Sequence, residues 1–138
     1  MNNLIVQLVT QQQKEKVSRE KADPLASERR FYRKKVDLSC RYRPVGASSK
    51  FSLNGSIKDI SLDGLAMAVM HGDTTGISLE KGELFVVNAV LPNKQNLELE
   101  AEVVTVQRSE MPEELVLNMF ITEISAGSRK SLGFFLMP

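Results

Sequence analysis

The chain has 138 residues, a formal net charge of +1, 42% apolar and 25% charged residues, the size and balance of one globular domain with its own core. No apolar run approaches the ~18 residues that cross a bilayer, and the opening MNNLIVQLVTQQQ has no basic lead and no small-residue cleavage site, so neither membrane insertion nor a secretory signal is expected. The single cysteine, Cys40, excludes an internal disulfide and fits a reducing compartment, the cytoplasm.

The near-neutral total hides a segregation of charge. Residues 28–43 hold seven Arg or Lys against Glu28 and Asp37, whereas residues 80–123 hold nine Glu against Lys81, Lys94 and Arg108. The acidic stretch reads as the solvated face of strands. The basic stretch reads either the same way or as a docking patch for an anion, because clustered positive charge raises the local potential.

In chain order, residues 1–26 form a polar tail ending at Asp23-Pro24, in which Leu4, Ile5, Leu8 and Val9 keep helical spacing for about two turns. A short docking helix and a frayed tail both fit. From residue 27 to 138 the chain reads as one domain. In VDLSCRYR, Val36, Leu38, Cys40 and Tyr42 alternate with Asp37, Ser39, Arg41 and Arg43, the period of a half-buried strand. A second strand is expected from about Phe51 to Ile60 and a third from Leu65 to Met70. Between them lies the turn Ser61-Leu62-Asp63-Gly64, whose glycine is expected to supply a backbone angle. ELFVVNAVL (83–91) is continuously apolar and reads as a strand buried on both faces. LELEAEV (97–103) alternates strictly, LVLNMFIT (115–122) is a last strand, and Leu132, Phe135 and Leu136 take the spacing of a short helix. The expected fold class is therefore all-β: a six-stranded antiparallel β-barrel with a short C-terminal helix and a flexible or helical N-terminal tail. Closing the sheet removes its exposed edges.

Catalysis finds little support. His71 is the lone histidine, in a turn-like segment, and one Cys with one His gives no metal constellation. No nucleophile elbow, phosphate-binding loop or zinc-protease motif is present. Neither an enzyme nor a metal is expected.

Binding finds more. In ERRFYRKK (28–35), Arg29 and Arg33 lie four apart with Arg30 beside the first. Guanidinium is planar and always charged, so it can bond the acceptor edge of guanine, clamp a phosphate or stack on a base. Downstream, Asp59-Ile60-Ser61-Leu62-Asp63-Gly64 offers a carboxylate that accepts from the N1–H and N2–H₂ of guanine. Ser61 is expected on the same face, since alternate strand residues point together. Each element alone also reads as ordinary chemistry, a basic linker in one case and a turn in the other.

Together, Arg29-x-x-x-Arg33 before the first strand and Asp59-x-Ser61-x-x-Gly64 between the second and third resemble the PilZ family, from residue 28 to about 137. The resemblance implies a six-stranded barrel and the ligand cyclic di-GMP, with no other cofactor. Arg29 and Arg33 would clamp guanine and phosphate, Asp59 and Ser61 would hold a guanine, and Gly64 would keep the turn open to the ligand. Arg30 is added as a helper. The mechanism expected is a clamp: the arginine segment orders on ligand binding and signals to an unidentified downstream protein. An adaptor of the same fold that does not depend on nucleotide stays open. A nucleic-acid-binding barrel using Phe31 and Tyr32 ranks third, because the later strands are acidic.

Overall fold

The computed structural model describes residues 32–48 and 50–137. Among them are six strands: β1 (Lys34–Pro44), β2 (Leu53–Ile60), β3 (Gly64–Met70), β4 (Leu84–Val90), β5 (Asn96–Arg108) and β6 (Glu114–Ile124). A 3₁₀ turn, His71–Thr74, follows β3, and one helix, α1 (Ala126–Leu136), follows β6. The strands close into a barrel in the order β1-β2-β3-β6-β5-β4, every pairing antiparallel. The all-β class, the six strands and the terminal helix are thus as the apolar patterning of the sequence predicts.

Alternation decides what faces inward. Cys40 and Tyr42 of β1, Phe85 and Val87 of β4, Leu97, Leu99, Ala101 and Val103 of β5, and Leu117 and Met119 of β6 are all buried in one cluster. Burying a side chain of this size contributes about 1.5–3 kcal/mol, and the Tyr42 and Phe85 rings meet edge-on at 5.9 Å between centroids. β4 departs from expectation. It is not buried on both faces: Phe85, Val87 and Ala89 point in, while Val90 is 59% exposed. A closed barrel has one interior, and an apolar run does not reveal whether a second layer covers its other side.

Two irregularities shape the end of the barrel where β1 begins. Pairing slips by one residue between Lys35 and Leu38 of β1, and again between Ile57 and Asp59 of β2. The second slip matters most. Ile57 and Ile60 are both fully buried although they stand three apart, which a regular strand forbids. The extra residue of a bulge restores Ile60 to the core and turns Asp59 away from it.

α1 closes against β5. Ser125 caps it by accepting from the backbone N–H of Ser128, Leu132 is fully buried, and Phe135 and Leu136 pack on the core. Lys34 Nζ reaches the far end of the helix, donating to the Phe135 carbonyl at 3.0 Å and lying 4.3 Å from the centroid of its ring. A cation at unsatisfied C-terminal carbonyls opposes their partial negative charge. No helix among the described residues is long and apolar enough to cross a membrane.

Candidate functional site

The two sequence motifs meet at one point. Arg33 leads into β1, Asp59 lies near the end of β2, and Arg33 Nη1 donates to Asp59 Oδ1 at 2.7 Å across 26 residues of chain. The side chains are only 6% and 18% exposed, so this is a sheltered ion pair and not a surface contact. In such surroundings the partners depend on each other: removing one strands the other's charge, at about 3–5 kcal/mol. Arg33 is not used up by it. Its Nε–H is buried and has no acceptor among the described residues.

Gly64 is needed here for space. Its φ is not positive, unlike that of Gly46, Gly76 and Gly82, so the turn does not require glycine's extra conformations. A Cβ built on Gly64 would instead stand 2.7 Å from Arg33 Nη2 and 2.7 Å from the Met119 carbonyl oxygen. The guanidinium therefore lies over the glycine, where any side chain would displace it. This replaces the expectation that the residue supplies a backbone angle.

Ser61 also differs from the sequence reading. β2 ends at Ile60, so Ser61 escapes the alternation that would align it with Asp59. It is fully buried. Its hydroxyl donates to Asp63 Oδ1 at 2.6 Å and accepts from the backbone N–H groups of Asp63 (3.3 Å) and Gly64 (3.2 Å). The Ser61 N–H donates to the Gly64 carbonyl at 2.8 Å, and the Ile121 N–H of β6 donates to the Asp63 carbonyl at 2.9 Å. The serine thus holds the turn that presents Gly64 beneath Arg33, a buried hydroxyl with its hydrogen bonds satisfied. Arg29 and Arg30 lie outside the described residues.

Register adds neighbours that the motifs do not contain. Lys35, Asp59, Ala66, Asn118 and Thr105 follow one another in a lateral row across β1, β2, β3, β6 and β5. Ala66 is 4% exposed, and the half-buried Asn118 donates through Nδ2 to Thr105 Oγ1 at 2.9 Å. In sequence Asn118 is simply a polar residue in LVLNMFIT. Only strand pairing places it two strands from Asp59.

The remaining titratable groups are of another kind. Burial pushes the Cys40 thiol up to about 12, with a backbone hydrogen bond from Gly55 opposing it. Tyr42 is likewise raised to about 12 by burial, then by Asp73 and Cys40. A thiol held protonated in the core is a poor nucleophile and a poor metal ligand. His71 is exposed in the 3₁₀ turn. The described residues contain no group of three or more His, Cys, Asp or Glu placed to hold a metal ion.

Comparison with solved structures returns the same barrel. The Bacillus subtilis inhibitor of motility (MotI/DgrA) aligns over 75% of this chain at 21% identity with a TM-score of 0.60. The PilZ domain of YcgR from Escherichia coli, solved with cyclic di-GMP, aligns over 76% at 14% identity and a TM-score of 0.57, with 86% of that domain covered. MrkH of K. pneumonia in complex with cyclic di-GMP aligns over 78% at 18% identity and a TM-score of 0.57. The chain spans 46% of the inhibitor of motility and 49% of MrkH, about half of each. No match is found among curated proteins. The family model described as PilZ domain matches residues 27–137, and with both motifs, the barrel and this span in agreement, the chain belongs to the PilZ domain family.

Proposed function

We propose that this protein is a receptor for cyclic di-GMP, and that a clamp formed by Arg29, Arg30 and Arg33 with Asp59, Ser61 and Gly64 binds it. One observation carries the reading: Arg33, from the first motif, lies on Asp59 and over Gly64 of the second. Motifs kept only as a basic linker and a surface turn have no reason to converge. The ligand class comes from relatives, since the YcgR domain and MrkH were both solved with cyclic di-GMP.

In this reading Asp59 accepts from the N1–H and N2–H₂ of a guanine while holding Arg33 in place. The Arg33 Nε–H, which has no acceptor among the described residues, would donate to a guanine carbonyl or a phosphate oxygen. Arg29 and Arg30 complete the clamp, and Ser61 acts through the turn it holds. Each charge-assisted bond contributes about 1.5–3 kcal/mol. Three or four such bonds account for much of the roughly −8 kcal/mol of micromolar affinity, before ordering costs.

Seven positive charges in residues 28–43 repel one another. A ligand with two phosphates offsets that repulsion and orders Arg29 and Arg30 against the barrel beside Arg33, which lies on Asp59. The tail, residues 1–26, then moves relative to the barrel domain, 27–138, and presents a changed surface to a downstream protein in the cytoplasm. Only contacts made in the bound state shift such an equilibrium. No reaction is catalysed in this scheme.

The test is calorimetric titration with cyclic di-GMP, with cyclic di-AMP and an Arg29→Ala, Arg33→Ala double variant as controls. Saturable binding at micromolar or tighter affinity, lost in the variant and absent with the adenine analogue, is expected. An absence of heat at millimolar ligand overturns the reading. The alternative is a nucleotide-independent adaptor of the same fold, in which the Arg33–Asp59 pair only ties the lead-in segment to β2. That alternative predicts a protein partner bound equally well by the double variant.

A further inference from the structure

We propose that Ala66 and Asn118 extend the base-binding face beyond the family motifs, with Asn118 Oδ1 accepting the guanine N2 hydrogen that Asp59 leaves free. The proposal rests on the cyclic di-GMP reading. It deepens that reading by naming what distinguishes guanine at this face.

Three observations carry it. Asp59, Ala66 and Asn118 are successive partners across β2, β3 and β6, so the two polar side chains flank the alanine at one level of the barrel wall. Neighbouring strands lie about 4.8 Å apart, which separates the backbones of Asp59 and Asn118 by about 9.6 Å. Between them Ala66 carries only a methyl group. The third observation is the state of the amide. Asn118 Nδ2 is held by Thr105 Oγ1 at 2.9 Å, with Gln107 Oε1 at 3.5 Å. Holding the NH₂ against β5 orients the amide and leaves its oxygen without a donor among the described residues.

The row therefore sets two acceptors on either side of a small, buried residue: a carboxylate held by Arg33, and the amide oxygen of a side chain bonded to Thr105. Guanine complements that pattern. Its N1–H and N2–H₂ put three hydrogens on one edge, more than one carboxylate satisfies. The 2-amino group is the one that hypoxanthine lacks. Adenine has no donor at either position. A larger residue at position 66 would occupy the space between the two acceptors, and an apolar one at 118 would leave the second N2 hydrogen without a partner.

The test compares cyclic di-GMP with cyclic di-IMP, its hypoxanthine counterpart, by calorimetry on the full chain and on Asn118→Leu and Ala66→Leu variants. Melting midpoints establish that each variant folds. Asn118→Leu is expected to weaken cyclic di-GMP about tenfold, the loss of one hydrogen bond to the base, while its affinity for cyclic di-IMP stays within a factor of two. Ala66→Leu is expected to weaken both ligands more than tenfold. An equal loss of both ligands in Asn118→Leu assigns the residue a structural role through Thr105 and overturns the proposal. So does wild-type affinity in either variant. If the unaltered protein binds no cyclic di-GMP, the receptor reading itself fails, a result separate from these.

Discussion

Arg33 and Arg41 come from the same basic stretch, eight residues apart, and their surroundings differ. Arg33 is nearly buried, paired with Asp59 and laid over a glycine that makes room for it. Arg41 is exposed and, among the described residues, its side chain hydrogen-bonds only Ser52, in a lateral row of Asn54, Arg41, Asn88 and Glu98 on another part of the barrel wall. A cleft of about 550 Å³ lies over that second row, roomy enough for a small ligand. Yet most of its polar side chains are exposed, and no sheltered ion pair lies there among the described residues. The proposed site is assigned on the convergence of a sheltered charge, its counter-charge and a space kept clear by glycine, not on volume.

Substitutions that should affect one arginine and spare the other test this contrast. The largest effect is expected from the Arg29→Ala, Arg33→Ala double variant: cyclic di-GMP affinity falls more than a hundredfold. Denaturant midpoints should also report about 3 kcal/mol lost from stranding Asp59. Gly64→Ala comes next, at about 2 kcal/mol with weakened ligand binding, since Arg33 Nη2 or the β6 backbone must give way. Its counterpart is Gly133→Ala in α1, where a Cβ meets nothing within 4 Å. That change should stabilise by about 0.5–1 kcal/mol. Ser61→Ala should cost about 1–2 kcal/mol in thermal or denaturant unfolding, because two backbone N–H groups lose their acceptor.

The buried core makes stability depend on pH. Cys40 rises from 9.0 to about 12 on folding, and Tyr42 from 10.0 to about 12. Both groups ionise more easily in the unfolded chain. Their contribution to stability is therefore fully present below pH 9 and is lost as pH rises from there toward 12. The slope reaches about 1.4 kcal/mol per pH unit for each group. Urea midpoints measured from pH 8 to 11 should fall, less steeply in Cys40→Ala than in the unaltered chain. The smallest effect is expected from Arg41→Ala, within about 0.5 kcal/mol and with ligand affinity unchanged. A large loss of affinity there would move the site to the other row and break the comparison.

Much of this was legible in the chain. The alternation of Val36, Leu38, Cys40 and Tyr42 gave β1 its inward face, and LELEAEV did the same for β5, because side-chain period is a local property of an extended backbone. The motif residues were legible from their types and spacing. Their separate roles were not. Ser61 looks like a second ligand contact if β2 continues, yet it caps a turn because the strand stops at Ile60. Asp59 would share the face of buried Ile57 in a regular strand, and only the bulge turns it outward. β4 read as doubly buried because apolar composition does not report what lies on a strand's far side.

The inward faces of β1 and β5, the segregation of charge and the two motifs follow from residues near one another in the chain. Only the fold brings Arg33 onto Asp59, makes Gly64 a space and not a hinge, and sets Asn118 in line with Asp59 and Ala66. Those facts depend on register between strands far apart in sequence, which is fixed only when the barrel closes and its bulges fall where the core requires them.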